Sequence, residues 1–339
     1  MMSRIALNFE DGVTKIIEGL PNEKVSDAAY RNRINIPLDC ADGACGTCKC
    51  KVKSGSYDGG DYIDEALTDE EAAQGFGLAC QMTPESDMII EIFASSTACK
   101  VETQTFATTI SAVNYLSPEI VQLKVQLPDN ATLEFLAGQY VNIEVPGSEQ
   151  TRSYSFANKG SQNELEFLIR MVPNGLMSEY LKNEAQVGAS LNVTGPLGSF
   201  YLRQIEKPTL FFAGGTGIAP FLAMLESLAA EGNSNPITLY YGATTEENLV
   251  EIDRLKEFQS KLNFNFECCV SGQESSRFPK GFVTQWITKD NLTENDYDIY
   301  ICGPNPMVEA VKESLATEGI QYSNFYLEKF LPTGHAVTT

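Results

Sequence analysis

Histidine is almost absent from this chain. Its 339 residues include one histidine, His335, near the C-terminus, and one tryptophan. A single histidine excludes a Ser-His-Asp triad, and it also excludes a histidine-ligated Rieske or di-iron centre. An enzyme of this composition is expected to take its chemistry from a bound cofactor.

Basic side chains are also scarce. The sequence has 24 Lys and Arg against 45 Asp and Glu, which gives a formal net charge of −21. An acidic surface repels phosphate groups, so the composition argues against nucleic acid and anionic membrane as partners. A protein partner that docks on this chain should offer a basic face.

Long apolar runs are missing as well. No segment approaches the roughly 20 apolar residues of a membrane-spanning helix, and the N-terminal MMSRIALNFEDG has no apolar signal-peptide core. We therefore expect a cytoplasmic protein. In that reducing compartment the nine cysteines stay as thiols, so their clustering indicates metal or redox chemistry rather than disulfides.

Three segments differ in pattern, and the chain is long enough for two or three domains. Residues 1–99 hold a cysteine-rich loop and an acidic run at 58–71, which fits either a solvated surface or a docking face for a basic partner. Residues 100–206 contain six short strand-like runs, typical of an antiparallel barrel or sandwich. Residues 207–339 alternate strands with helices, which predicts a mainly parallel sheet. The expected fold is multidomain, with α+β and α/β parts.

The cysteine spacing is the most specific motif. Cys40, Cys45 and Cys48 stand at C-x4-C-x2-C, and Cys80 follows farther on, which is the plant-type [2Fe–2S] spacing. Zinc is the weaker alternative, because structural zinc sites usually use two C-x2-C pairs and only Cys45 and Cys48 have that form. Cys50 falls outside the pattern and is expected to be a small buried thiol.

Residues 1–99 resemble a plant-type ferredoxin, and the resemblance implies a β-grasp fold for this segment. A [2Fe–2S] cluster takes up and passes on one electron at a time. Another part of the chain must therefore supply single electrons to it.

A second motif lies in the middle segment. The run RSYS at 152–155 ends a strand-like run. Its arginine can bind phosphate, its tyrosine can stack on a flat heterocycle, and a serine can reach a ring nitrogen, although an exposed strand end would look the same. Farther on, Gly175 and Ser178 stand at the entry to a helix, whose free N–H groups suit a diphosphate.

The last segment carries two nucleotide motifs. The run GGTG at 214–217 follows a strand and opens a helix with Pro220 in its first turn; it departs from G-x-G-x-x-G, and a helix-capping turn is the simpler alternative. Cys302 begins C-G-P where a buried strand meets a helix. Open α/β sheets bind ligands at such a place, although a lone cysteine there can also serve only for packing.

Two carboxylates bear on the choice of coenzyme. Glu246 and Glu247 follow the strand LYYGA, with no arginine beside them. Their carboxylates would repel a 2′-phosphate, which favours NADH over NADPH.

Together these motifs resemble the ferredoxin–NADP reductase superfamily. The resemblance implies a six-stranded antiparallel β-barrel for the flavin and a Rossmann-like parallel sheet for the nucleotide, and the helix entry favours FAD over FMN. It further implies that Arg152 and Ser178 hold the flavin phosphates with Gly175 at the helix entry, that Tyr154 stacks on the isoalloxazine, and that Ser155 hydrogen-bonds near N5.

On the nicotinamide side, the resemblance places Cys302 beside the ring carbon that carries the hydride. It brings Glu328 near the nicotinamide, and it sets Phe330 over the exposed flavin face, although nine residues follow this aromatic. The implied nucleotide contacts are Gly214, Gly215, Thr216, Gly217, Glu246, Gly303 and Pro304.

The order of the three segments is similar to the reductase components of bacterial ring-hydroxylating dioxygenases, above all those of the benzoate 1,2-dioxygenase type. This resemblance implies an oxidoreductase of the ferredoxin–NAD(+) reductase type in aromatic catabolism, which passes electrons from NADH through FAD and [2Fe–2S] to a terminal oxygenase. Two alternatives stay open. One is the reductase of a soluble di-iron monooxygenase, which has the same domain order, and the other is a cluster-binding electron carrier with an empty reductase part.

Overall fold

The structure is a computed structural model that describes residues 2–38, 43–100, 103–159, 163–272, 274–294 and 296–329. It divides into two compact units, one formed by 1–104 with 196–199 and the other by 105–195 with 200–339. None of the helices in the described ranges combines the length and the apolarity that a membrane span requires. The predicted site residues Cys40 and Phe330 lie outside the described residues, as does His335.

The first unit is built on a five-stranded sheet with the order β2-β1-β7-β3-β5. Strand β1 lies next to the central strand β7, and it pairs antiparallel with β2 and parallel with β7. The alternate residues Ile5, Leu7 and Phe9 of β1 are buried, which is the period-two pattern of a strand with one face in the core. The elements are β1 (Ser3–Phe9), β2 (Thr14–Gly19), α1 (Val25–Arg31), β3 (Lys49–Ser54), β4 (Tyr57–Asp58), α2 (Asp69–Ala73), β5 (Phe76–Leu78), β6 (Thr83–Pro84) and β7 (Met88–Ile92).

The second unit begins with a six-stranded sheet whose strand order is β11-β10-β13-β8-β9-β12. The β10–β11, β8–β9 and β9–β12 pairs are antiparallel. The two outer strands of this order meet at an isolated bridge between Phe156 and Phe167 rather than along a continuous ladder. The elements are β8 (Gln104–Ser117), β9 (Ile120–Gln126), β10 (Tyr140–Glu144), β11 (Thr151–Ser155), β12 (Glu164–Arg170), α3 (Leu176–Asn183) and β13 (Ser190–Leu197).

The remainder of this unit is a parallel sheet with the order β16-β15-β14-β17-β18, which confirms the predicted α/β architecture. Its central strands β14 and β17 are buried along almost their whole length, as expected when helices cover both faces. The chain order reverses between β14 and β17, so a ligand crevice is expected where these two strands end. The elements are β14 (Thr209–Gly214), α4 (Ala219–Glu231), β15 (Ile237–Ala243), α5 (Ile252–Gln259), β16 (Phe264–Val270), β17 (Tyr297–Gly303), α6 (Asn305–Glu318) and β18 (Tyr322–Lys329).

A cluster of charged side chains joins the two sheets of the second unit. Arg254 of α5 donates to Glu166 of β12 and to Glu226 of α4, both at 2.8 Å. Its guanidinium also donates to the carbonyl of Ala157, and Glu251 lies 3.8 Å away. Partial burial strengthens such charge-assisted bonds, so this Arg254 cluster fixes the antiparallel sheet against the helices of the parallel one.

Candidate redox site

Two of the three predicted catalytic residues donate to one oxygen atom of the third. Ser155 is the last residue of β11, and its hydroxyl donates to Oε2 of Glu328 at 3.0 Å. The thiol of Cys302 donates to the same oxygen at 3.7 Å. Register explains the second contact, because Cys302 of β17 is paired directly with Glu328 of β18. Residues that are distant in sequence thus meet at the carboxyl end of the parallel sheet.

The Cys302 thiol is fully buried. Burial, followed by the neighbouring Glu328 carboxylate, raises the pKa of this thiol well above its ordinary value. Cys302 therefore stays protonated at neutral pH, and a neutral thiol is a poor nucleophile. The arrangement suits a positioning contact with a bound ring better than covalent catalysis.

The glycine loop packs directly against the Cys302 corner. Gly215 has φ +56°, a left-handed conformation that favours glycine. A Cβ atom on Gly217 would collide with the carbonyl oxygen of Cys302. The loop runs as a 3-10 turn from Gly215 to Ile218 into α4, and Pro220 stands in the first turn of that helix. The loop therefore stands at the end of β14, beside the crevice expected between β14 and β17, where a helix N-terminus suits a nucleotide diphosphate.

The predicted flavin contacts lie on β11 and at the start of α3. Arg152 donates to the carbonyl of Thr151 at 2.7 Å and to the side-chain oxygen of Gln150 at 2.8 Å. Both of these partners are neutral, so the guanidinium keeps its positive charge for a phosphate. Tyr154 is half-buried, and burial raises the pKa of its hydroxyl, which keeps the side chain neutral.

The entry to α3 is formed as the sequence predicted. Gly175 is the N-cap residue, and a Cβ there would collide with the side chain of Val172. Ser178 is buried, and its hydroxyl accepts the backbone N–H of Val172 at 2.9 Å. A hydroxyl that accepts one bond keeps its own proton to donate. The residues at this turn therefore fit a diphosphate group.

The turn before Cys80 contacts the loop that carries Cys48 in the ferredoxin-like segment. Cys48 and Cys80 are 2% and 1% exposed, while Cys45 is half-buried. The backbone N–H of Ala79 donates to the carbonyl of Cys48 at 3.1 Å, which joins the turn before Cys80 to the loop. Within the described ranges, no group of three or more His, Cys, Asp or Glu side chains has the geometry of a metal site.

Two further observations bear on whether this loop fits a cluster. Gly43 and Gly46 both have positive φ, and a Cβ on Gly43 would lie 2.5 Å from the carbonyl oxygen of Asp61. The amide of Gln81 donates to the sulfur of Cys80 at 3.7 Å, and bonds of this kind stabilise thiolates.

Cys50 lies outside the proposed ligand set. It is fully buried against Met82, as predicted for a packing thiol.

The coenzyme-discriminating region differs from the sequence expectation. Glu246 follows β15 as predicted, but an arginine does lie beside it. Arg277, from the loop after β16, donates to Glu246 at 3.3 Å, and the hydroxyl of Ser275 donates to the same carboxylate at 2.6 Å. Arg277 is not predicted from the sequence because it is not a neighbour of Glu246 along the chain. The signal available was the pairing of β15 with β16, which brings their following loops together.

Comparison with known families assigns each part of the chain. Residues 8–85 match the 2Fe-2S iron-sulfur cluster binding domain, 107–201 the oxidoreductase FAD-binding domain, and 211–313 the oxidoreductase NAD-binding domain. The chain is 49% identical to the toluate 1,2-dioxygenase electron transfer component of Pseudomonas putida, over 97% of this chain and 99% of that protein. The chain belongs to the dioxygenase electron transfer components.

Other comparisons agree with this assignment. This electron transfer component is 44% identical to the 2-halobenzoate 1,2-dioxygenase electron transfer component of Burkholderia cepacia, over 98% of this chain and 99% of that one. The crystal structure of an Amycolatopsis cytochrome P450 reductase superposes with a TM-score of 0.75 at 28% identity, covering 97% of this chain and 100% of the other.

The family establishes the cofactors and the direction of electron flow. The electron transfer component is an oxidoreductase that uses FAD, NADH and a [2Fe–2S] cluster. Electrons pass from NADH to FAD and then to the cluster. The predicted fold is confirmed at the level of a reductase with a ferredoxin domain and a parallel-sheet nucleotide domain.

Proposed function

We propose that this reductase serves the terminal oxygenase of a benzoate-type ring-hydroxylating dioxygenase. The relatives at 49% and 44% identity carry toluate and 2-halobenzoate in their names, and both compounds are substituted benzoates. Their similarity extends over nearly the whole chain rather than over one domain. The partner should therefore be an oxygenase of the same substrate class.

The meeting of Ser155 and Cys302 on Glu328 carries the proposal for the reaction centre. Glu328 holds the hydroxyl and the thiol at fixed positions on two different sheets. We assign Ser155 to the flavin side and Cys302 to the nicotinamide side of this centre. When bound, the flavin takes up a hydride from NADH and releases electrons singly.

Residues around the centre bind the rest of each cofactor. Arg152 and the N-terminal turn of α3, with Gly175 and Ser178, are proposed to hold the FAD phosphates, while Tyr154 supplies a stacking surface. The nucleotide contacts are proposed to come from the loops at the carboxyl ends of β14, β15 and β17, namely Gly214, Gly215, Thr216, Gly217, Glu246, Gly303 and Pro304.

The cluster ligands are proposed to be Cys45, Cys48 and Cys80 together with Cys40. Their support is the spacing, the burial of two of the thiols, and the contacts that join their turns. We further propose a β-grasp fold for 1–99, a flavin β-barrel over 100–206 and a nucleotide domain over 207–339. A cytoplasmic location is proposed from the cysteine spacing, which fits metal binding in a reducing compartment better than disulfides.

The test is coupled turnover with purified oxygenases. Reconstituted protein should consume NADH in a substrate-dependent manner when mixed with a benzoate-type oxygenase, and it should not do so with the hydroxylase of a soluble di-iron monooxygenase. Stimulation by the di-iron hydroxylase alone would contradict the proposed partner.

A visible spectrum before and after NADH tests the electron path itself. Both flavin and iron–sulfur bands should bleach when NADH is added. Cluster absorbance without flavin bands would instead favour a pure electron carrier, and a colourless protein that contains zinc would overturn the cluster assignment.

A further inference from the structure

Three loops of the parallel sheet leave it side by side. Gly214 of β14 is paired with Gly242 of β15, so the glycine loop and the loop after β15 begin next to each other. The loop after β16 joins them, because the backbone N–H of Gly272 donates to the carbonyl of Thr244 at 2.8 Å. A nucleotide that starts at the glycine loop therefore reaches residues of both other loops.

Two side chains in the loop after β16 have the chemistry of a phosphate site. Arg277 offers a guanidinium fork and Ser275 offers a hydroxyl, which are both common phosphate ligands. The Ser275 hydroxyl oxygen accepts the backbone N–H groups of Arg277 and Phe278, each at 3.1 Å. These bonds orient Ser275 so that its own proton is the group left to donate.

Glu246 occupies this pair. Its carboxylate accepts from Ser275 at 2.6 Å through one oxygen and from Arg277 at 3.3 Å through the other. The Arg277 side chain is 63% exposed and that of Glu246 is 28% exposed, so the ion pair is weak and open to competition. A carboxylate here takes the place that a phosphate would take.

The surrounding cavity has an excess of negative charge. It has a volume of about 310 Å³ and is lined by Glu246, Glu251 and Asp253 against Arg254 and Arg277. Arg254 is already engaged by carboxylates of the Arg254 cluster. Arg277 is thus the cation in this lining that is not bound into that cluster, and Glu246 is its partner.

We propose that Ser275 and Arg277 form a latent binding site for the 2′-phosphate of NADPH and that Glu246 closes it. The choice of NADH depends on this one carboxylate, because the groups needed to bind the phosphate are already present. The neighbouring Glu247 is exposed, and we do not assign it a role in closing the Ser275–Arg277 site. This inference rests on the proposed nucleotide site.

The test compares four variants of the reconstituted holoprotein: Glu246→Gln, Glu247→Gln, Arg277→Met and the double variant Glu246→Gln with Arg277→Met. The measurement is kcat/KM for NADH and for NADPH with ferricyanide as acceptor. Glu246→Gln should raise kcat/KM for NADPH by about tenfold or more, the size expected for a charge-assisted bond to phosphate. Glu247→Gln, which removes the same charge one residue away, should leave the NADPH to NADH ratio unchanged.

The double variant separates a latent site from simple loss of repulsion. If Arg277 binds the phosphate, adding Arg277→Met to Glu246→Gln should abolish most of the gain with NADPH. A gain that persists without Arg277, or an equal gain in Glu247→Gln, would overturn the proposal.

Binding provides a readout that does not depend on turnover. In calorimetric titrations, 2′,5′-ADP should bind Glu246→Gln more tightly than wild type by a similar factor, whereas 5′-AMP should bind both alike. If Glu246→Gln bound 2′,5′-ADP no more tightly, relative to 5′-AMP, than wild type does, this result would refute the latent site. Wild-type holoprotein that fails to reduce ferricyanide with NADH at all would instead refute the proposed function.

Discussion

Glu328 is the residue on which the candidate reaction centre depends, since Ser155 and Cys302 both donate to it. Replacing it by Gln keeps the size of the side chain and removes its charge. The neutral amide oxygen can still accept from both groups, but it binds the hydroxyl and the thiol more weakly than a carboxylate does. Both donors are then held less firmly relative to the bound rings.

We expect Glu328→Gln to slow flavin reduction by NADH by about ten- to a hundredfold, the range typical of a positioned polar group in a redox centre. Rapid mixing of holoprotein with NADH measures this rate directly. The control is Glu313→Gln, an exposed carboxylate on α6. Equal rates in the two variants would remove Glu328 from the centre.

Cys80 is proposed as the cluster ligand that comes from a distant turn. Cys80→Ser should lose iron and sulfide while it keeps NADH-driven ferricyanide reduction, which needs only the flavin and nucleotide parts. Chemical analysis of iron together with the visible spectrum measures the loss. Cys50→Ala, at a fully buried thiol outside the ligand set, should retain the cluster, and full iron content in Cys80→Ser would refute the assignment.

At the scale of secondary-structure elements, the Arg254 cluster holds α5 against the antiparallel sheet. Glu251 in this cluster is largely buried. Burial raises the pKa of its carboxyl above the ordinary 4.5, and the nearby Glu166 adds to the rise, while Arg254 and Lys124 oppose it. An acid whose pKa is raised in the folded state binds its proton more tightly there than in the unfolded chain.

The sign of the pH effect follows from this. The stabilising contribution of Glu251 is complete below its unfolded pKa and is lost as pH rises through the higher folded value. Relative to Glu251→Gln, wild type should therefore lose unfolding free energy between pH 4.5 and about pH 7. Urea unfolding of both proteins at the two pH values measures it, and parallel pH profiles would contradict the prediction.

The ends of helices and strands could be predicted from the sequence, whereas the contacts between distant elements could not. Gly175, Cys302 and the glycine loop were predicted at the ends of strands and helices because strand, glycine and helix signals are local. The Ser155–Glu328 and Arg254–Glu166 contacts join residues 173 and 88 positions apart. Spacing does not give such contacts. Family resemblance implied a role for Ser155 and for Glu328 separately but not the contact between them, and the Arg254–Glu166 contact was missed.

The contact between Arg277 and Glu246 was also not predicted, although these residues are closer in the sequence. It lies 31 residues from Glu246, yet the two meet because β15 and β16 are neighbours in register. The pairing of these two strands predicts the arginine beside Glu246. Strand order is set by tertiary packing rather than by local pattern, so it was not available from spacing alone.

At the scale of the whole molecule, the acidic composition bears on the oxygenase partner. Asp61, Asp64 and Glu65 are exposed in the acidic run 58–71, close to the loop of Gly43. If they attract a basic face, replacing all three by Asn or Gln should raise the apparent KM for the oxygenase several-fold at low salt and weaken its dependence on ionic strength. Substrate-dependent NADH consumption at varied oxygenase concentration measures both effects.

A matched control changes the same charge in the second unit. Glu149, Glu231 and Glu257 are exposed there, and replacing them by Gln removes three negative charges far along the chain from the acidic run. This control should leave the apparent KM for the oxygenase close to that of wild type. Equal effects in both triple variants would mean that net charge, rather than a local docking face, governs the encounter.

The placement of Glu328 also has a consequence for heat resistance. It is the second-to-last residue of β18, and β18 is the outermost strand of the parallel sheet on its side, with β17 as its only strand neighbour in the described residues. Outer strands open by local fluctuations at a lower free energy than central ones. On gentle warming the fraying of this single strand would separate the carboxylate from Cys302 while the core stays folded, so NADH oxidation should fade before the protein melts.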